Sequence, residues 1–225
     1  MEQSYNDWKS YEKVTWELDK YRFQKSYKLL EGEKTGKLLG IGIMAGKELL
    51  PLLEKGWECY GIELTNAYEV ARDRGIKSIQ HDVSKGIPFS DEFFDVVWAE
   101  EIIEHLYDTD HFLSEVNRVL KRRGILILST PNLASLINRV KLLFGLYPRY
   151  VQFSSEGAGH VRYYTAKVLV KQLKRHNFFV ERVMGNFLSF PDPFPTKPLR
   201  KYILNPLGTF FPTLSENIIV KARKL

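Results

Sequence analysis

The chain has 225 residues, 44% of them hydrophobic, with 33 Lys and Arg against 27 Asp and Glu and a single cysteine. That excludes an internal disulfide framework and fits a reducing, cytoplasmic setting; no run reaches the roughly 18 apolar residues of a membrane span. The polar, aromatic start MEQSYNDWKSYEKV is unlike a secretory signal. Charge is unevenly placed: residues 1–134 carry 18 Lys and Arg against 23 Asp and Glu, whereas residues 135–225 carry 15 against 4. A basic segment concentrates anions, whether phosphorylated substrate, nucleic acid or lipid headgroup.

In chain order, residues 6–30 place Trp8, Tyr11, Val14, Trp16, Leu18, Tyr21, Phe23, Tyr27 and Leu30 largely three or four apart, which predicts one or two amphipathic helices. KLLGIG (37–42) reads as a buried strand, and GKELLPLLEKG (46–56) as a helix stopped by Gly56. WECYGIEL (57–64) is a strand in which Cys59 is a core residue, and NAYEVARDRG (66–75) a helix with Asn66 as N-cap and Gly75 as stop. IKSIQHD (76–82) and FFDVVWAE (93–100) are strands, TDHFLSEVNRVLKRRG (109–124) a helix, and ILILST (125–130) a strand closed by Pro131. Alternating β and α with short connections predicts a doubly wound, Rossmann-like α/β fold with helices on both faces of a parallel sheet. Beyond Thr130 the rhythm falters. Residues 132–153 form an apolar, basic, helical excursion, 165–177 a helix capped by Thr165, and 178–185 a strand. Residues 190–198 are proline-rich, and 216–223 are a last strand.

In such a sheet the ligand lies beyond the C-terminal strand ends, beside the first strand. Gly40, Gly42 and Gly46 sit there, and glycines permit a tight turn and close backbone approach. Glu63 ends the second strand, where a carboxylate can accept from ribose hydroxyls. To this point a dinucleotide and S-adenosylmethionine fit equally. Asp82 then closes the third strand within QHDVSKGIPFSDEFFDVVWAEEIIEHL, and RVLKRRGILILSTPN follows.

Together these segments resemble the class I S-adenosylmethionine-dependent methyltransferases (type 11/12-like), from about Lys37 to Thr165. The resemblance implies a seven-stranded, mostly parallel sheet in residues 36–225, with substrate-side insertions at about 136–164 and 186–214 and an N-terminal helical cap over 1–35. It implies that the loop Gly40–Gly46 wraps the methionine part of the cofactor and that Glu63 holds the ribose. Asp82 would take the adenine amino group beside Val83, and Glu100 or Glu101 would face the methionine end. The loop departs from the family: Gly40 stands where an acidic residue is usual, and Met44 where a glycine is. A lost charged acceptor weakens binding by on the order of 1.5–3 kcal/mol, unless Glu48 or Glu101 replaces it. Restoring Gly40→Asp and Met44→Gly is expected to tighten the cofactor.

EEIIEHL places Glu101, Glu104 and His105 at i, i+3 and i+4, one face if helical, and GAGHVRYYT supplies His160. The pattern resembles two metal-dependent branches, small-RNA 2′-O-methyltransferases and ubiquinone-pathway O-methyltransferases, in which Glu101, Glu104, His105 and His160 would hold Mg or Mn. Equally, His105 or His160 would serve as general base, with Glu101 the third catalytic candidate. His81 reads as a neighbour of the adenine, and His111 and His176 as helix-surface residues.

Arg139, Lys141, Arg149, Arg162, Tyr163, Tyr164 and Arg200–Lys201 suggest a wall for an anionic or sugar-containing small-molecule acceptor, ahead of nucleic acid. Residues 136–153 also fit peripheral contact with a membrane surface. The expected function is methyl transfer to a hydroxyl or amine. The alternatives are a weakened, methyltransferase-like binding or scaffold protein and an NAD(P)- or nucleotide-sugar-binding enzyme. Oligomeric state has no signature in these residues.

Overall fold

Seven strands form one sheet in the order β3-β2-β1-β4-β5-β7-β6. They are β1 Lys37–Ile41, β2 Glu58–Glu63, β3 Lys77–Gln80, β4 Phe94–Glu100, β5 Leu120–Pro131, β6 Phe178–Gly185 and β7 Asn217–Lys224. β7 alone runs antiparallel to its neighbours β5 and β6. The computed structural model describes residues 20–152, 159–189 and 203–225, so the predicted helical content of residues 6–19, the proline-rich stretch 190–198 and the Arg200–Lys201 pair lie outside the described residues. The helices are α1 (described over 20–29), α2 Leu50–Glu54, α3 Ala67–Asp73, α4 Thr109–Val119, α5 Leu136–Leu143, α6 Ala166–Arg175 and α7 Asn205–Phe210.

The strands read as continuous apolar runs because both faces are covered, as parallel sheets require. Leu39, Ile41, Val97, Ala99, Leu126 and Leu128 join Phe112, Val116 and Leu169 from α4 and α6 on one face. Leu38, Val96, Trp98, Ile125 and Ile127 join Leu29, Leu52 and Ala71 from α1, α2 and α3 on the other. Period-two alternation therefore sorts each strand between two cores.

Several boundaries move. The helix expected over 109–124 stops at Val119, because Leu120 turns extended (φ −73°, ψ 136°) and pairs with Phe94 at the start of β5. Asp108, one residue earlier than expected, caps α4 by accepting from His111 N. Thr165 caps α6 as expected, accepting from Val168 N at 3.4 Å. Asn66 occupies the cap position of α3 without a side-chain cap bond, while Thr65 Oγ1 accepts from Ala67 N. The expected helix 46–56 begins as a 3-10 turn, Lys47–Leu49, and among the described residues 132–152 only α5 is helical.

α1 is tied to the sheet by packing and by charge. Leu29 and Leu30 are buried, and Tyr27 stacks on Trp98 with ring centroids 5.5 Å apart. Buried Lys25 donates to the carbonyls of Gly185, Asn186 and Asn205 at 2.5–2.7 Å, matching three ammonium donors to three acceptors. Burial still pulls its pKa down to about 7, with Lys28 adding to the effect.

Gly40 has a packing role. A Cβ built there would lie 2.5 Å from Ile43 Cγ2 and 2.7 Å from Leu49 Cδ1, and one on Gly61 2.2 Å from Ile43 Cδ1. Ile43 thus fills a hollow that two glycines leave between β1 and β2. An aspartate at position 40, expected to help the cofactor, would therefore have to displace Ile43 and Leu49. Gly40→Asp is expected to cost about 2–5 kcal/mol from overpacking and an unpaired buried carboxylate. Urea denaturation checks it, with Gly40→Asp/Ile43→Ala recovering part of the loss.

Candidate active site

The tips of β1, β2 and β3 are laced together by main-chain bonds. Gly42 N donates to Ile62 O at 2.8 Å and His81 N to Glu63 O at 3.0 Å. The turn after β1 passes through left-handed backbone at Gly42 (φ 70°), Met44 (φ 48°) and Gly46 (φ 74°). Met44 holds this conformation while donating its N–H to Glu63 Oε2 at 2.8 Å. Glu63 Oε1 accepts from Thr65 N and Thr65 Oγ1 at 2.9 and 3.0 Å. A carboxylate offers about four lone-pair sites, so buried Glu63 keeps capacity for one more donor.

At the end of β3, Asp82 Oδ1 accepts from Ser84 N and Oγ at 3.0 and 2.7 Å. Those bonds hold its pKa below the ordinary value, and Lys85 lies 4.0 Å from Oδ2. Val83 follows in a 3-10 turn as a partly buried neighbour of the core. His81 Nε2 is bonded to Gly86 O at 3.0 Å, and His176 pairs with Asp110 at 2.7 Å on the surface of α4 and α6.

Two of the glycines fit against side chains. A Cβ on Gly42 would lie 2.0 Å from Ile102 Cδ1, and one on Gly46 2.3 Å from Ile76 Cδ1. Ile102 therefore leans across the turn, carried there by Glu101, which has positive φ (55°) at the end of β4.

Glu100 is tied to the N-terminal helix. Its Oε2 accepts from Arg22 Nε at 2.8 Å, both side chains being buried. The carboxylate expected at the cofactor is therefore engaged by the N-terminal helix. Arg22 also lies 3.3 Å from Glu101 Oε1. Nothing in the motifs marks Arg22, although its place in an amphipathic helix is a weak signal. Glu101 Oε1 accepts from Ser129 Oγ and Oε2 from Asn217 Nδ2, each at 2.8 Å.

Glu104, His105 and His160 do converge, with ligand-type atoms all within 4.8 Å of one another. Glu101 is absent from that group, a correction to the four-residue set, because its carboxylate is held toward β5 and β7. The segment 103–105 is a 3-10 turn rather than an α-helix, and Glu101 lies before it with positive φ (55°). His160 arrives because Val161 N and Arg162 N both donate to the Glu104 carbonyl, at 2.8 and 3.0 Å. The imidazoles of His105 and His160 meet edge to face, centroids 4.8 Å apart. Glu104 is almost wholly buried; Thr130 Oγ1 donates to Oε2, while Oε1 has no hydrogen-bond partner among the described residues. Burial, then the charge of Glu101, raises its pKa well above normal. Burial lowers the pKa of His160, whose Nδ1 lies 3.0 Å from the Tyr150 carbonyl. A carbonyl only accepts, so Nδ1 carries the proton and the lone pair is on Nε2.

Beside this cluster lies a small hollow, with room for about one water, lined by Asn132, Arg149, Tyr150, His160, Arg162 and Tyr163. Arg149 and Tyr150 are held by Glu216 at 3.0 and 3.2 Å, an anchoring acid that no motif announced.

Residues 39–128 match a family model described as a methyltransferase domain. Over 104 residues the chain is 34% identical to a ubiquinone biosynthesis O-methyltransferase of Pelagibacter ubique, covering 44% of this chain and 43% of that protein. It is 26% identical to Methyltransferase GfsG of Streptomyces halstedii over 88% of this chain and 70% of the relative. Several matched stretches span about two fifths of the length of the relative concerned. In fold, the chain is similar to an S-adenosylmethionine-dependent methyltransferase of Thermotoga maritima, described as a possible histamine N-methyltransferase. The TM-score is 0.69, at 21% identity and 96% coverage of each chain.

Glu48, in the 3-10 turn after the glycine loop, completes the acidic edge. Burial raises its pKa to about 8, Glu100 and Glu63 add to the rise, and Arg22 opposes it. Between the ordinary 4.5 and about 8 the unfolded chain has released a proton that the fold retains. Stability contributed here is thus present below that window and falls as pH rises through it. Denaturation at pH 5 and pH 8 is expected to show a decline of on the order of 2–4 kcal/mol, and Glu48→Gln to flatten it.

Proposed function

We propose that this protein, whose residues 39–128 match a methyltransferase domain, is a class I S-adenosylmethionine-dependent methyltransferase that transfers a methyl group to a hydroxyl or amine of an anionic, ring-bearing small molecule. The observation that carries the reading is the charge of the ligand edge. Glu48, Glu100 and Glu101 gather there around the guanidinium of Arg22, with Glu63 beside Glu48. Such an edge suits a ligand carrying a sulfonium and an ammonium, and opposes the pyrophosphate of a dinucleotide.

The donor set fits the cofactor. Glu63 has one acceptor site left for a ribose hydroxyl, and Asp82 Oδ2, 4.0 Å from Lys85, would accept from an amino group beside Val83. Glu48 supplies the carboxylate that Gly40 cannot. When bound, the cofactor supplies an activated methyl on sulfur. The chain's own part is alignment, exclusion of water and removal of a proton. Arg149 and Arg162 meet the anion of the acceptor at the rim of the hollow, with Tyr150 and Tyr163 beside them, and His160 Nε2 takes the proton from the attacking hydroxyl or amine. His105 packs against His160, and Glu101 orients the strand end through Ser129 and Asn217.

A divalent ion such as Mg or Mn is a second reading, favoured by the convergence of Glu104, His105 and His160. It would fix a hydroxyl pair and acidify one member. The raised pKa of Glu104 opposes ion binding until its proton leaves.

Calorimetric titration with S-adenosylmethionine and, separately, NADPH tests the cofactor: heat with the first alone supports the reading, and heat with NADPH alone overturns it. His160→Ala is expected to lower kcat by roughly 10²- to 10⁴-fold while leaving cofactor affinity unchanged. If turnover stops in strong chelator and returns with Mn²⁺, the ion reading holds; full turnover in chelator removes it.

A further inference from the structure

The end of α5 is built unusually. Residues 142–147, Leu-Leu-Phe-Gly-Leu-Tyr, are exposed one after another, with Leu143 80% and Phe144 72% exposed. The tip is nonetheless an ordered helix stop. Gly145 takes left-handed backbone (φ 67°), Gly145 N donates to Leu142 O at 3.0 Å, and Leu146 N to Lys141 O at 2.7 Å. Its base is fixed. Asn138 is fully buried, its Oδ1 accepts from Arg149 N at 2.7 Å, and its Nδ2 donates to Leu133 O at 3.1 Å. The chain therefore leaves the core, turns over an apolar tip, and returns at Arg149 and Tyr150, which line the acceptor hollow.

The segment that carries the tip is basic, with Arg149 paired to Glu216 from outside it at 3.0 Å. Between Glu115 and Glu156 no acidic residue occurs, while Arg139, Lys141 and Arg149 lie on or beside α5. Arg139 donates to Thr213 O at 3.1 Å, which ties α5 to the segment that follows α7. A contiguous apolar tip ringed by cations is what an anionic lipid surface receives: side chains enter the acyl boundary and cations meet the headgroups. Among the described residues no helix is long and apolar enough to cross a membrane, so the contact is peripheral.

We infer that the tip of α5 seats this protein on an anionic membrane surface and presents its hollow to an amphiphilic acceptor whose charged head meets Arg149 and Arg162 at the rim. The acceptor clause rests on the methyl-transfer reading; the surface clause stands without it. The test is co-sedimentation with phosphatidylcholine vesicles containing phosphatidylglycerol and with vesicles of phosphatidylcholine alone. Light scattering of the protein without lipid accompanies it. The full chain is expected to bind the anionic vesicles, more weakly as salt rises. Leu143→Ser/Phe144→Ser and Lys141→Glu are each expected to weaken binding about tenfold or more. Both variants should retain the wild-type calorimetric response to S-adenosylmethionine, which shows that they fold. No sedimentation with anionic vesicles, equal sedimentation with both vesicle types, or a Leu143→Ser/Phe144→Ser variant that binds like wild type would overturn the inference. So would a wild-type dimer that this double variant dissolves, because the tip would then cover a second copy. Vesicle binding by a protein that takes no S-adenosylmethionine would leave the surface standing and sink the methyl-transfer reading alone.

Discussion

One electrostatic imbalance organises this molecule. Glu48, Glu63, Glu100, Glu101 and Glu104 meet near the C-terminal ends of β1, β2 and β4, and the buried guanidinium of Arg22 bridges two of them. Crowding like charges in a low-dielectric setting is costly. The fold answers with raised pKa values at Glu48 and Glu104, and with hydrogen-bond donors at Glu63 and Glu101. Breaking a buried pair such as Arg22–Glu100 leaves a charge without compensation, typically a loss of about 3–5 kcal/mol. α1 is therefore integral to the site.

From that edge the polar network runs outward. Glu101 reaches Asn217 on β7, Asn217 bonds Asn186 after β6, and the Asn186 carbonyl accepts from Lys25 on α1. Each member satisfies a buried group of the next, as buried networks must. The antiparallel seventh strand is what allows this closure, since it delivers Asn217 and Glu216 to the same edge as the parallel strand tips. Glu216 then fixes Arg149 and Tyr150 at the acceptor hollow.

Much of the fold was legible in the sequence because strand and helix periods are local. KLLGIG, WECYGIEL and ILILST are buried on both faces and read as unbroken apolar runs. The tips bearing Glu63 and Asp82 followed from strand ends and short connections. Non-local features did not show. Arg22 lies 78 residues from the carboxylate it holds, and no pattern couples them. Ile43 fills the space over Gly40 and Gly61, so a glycine that looks like a missing acid is one half of a packing exchange. The helical spacing of EEIIEHL suggested four converging ligands; a 3-10 turn and a positive φ at Glu101 bring only three together. Ile102 leaning over Gly42 is likewise a product of that turn.

The most direct measurement of this account is proton exchange on cofactor binding. S-adenosylmethionine would be titrated calorimetrically at several pH values in buffers of different ionisation enthalpy. If a cationic ligand completes the acidic edge, binding releases protons near neutral pH, the affinity rises from pH 6 to pH 8, and Glu48→Gln abolishes most of both effects. Binding that neither releases protons nor varies with pH, or that tightens as pH falls, would contradict it.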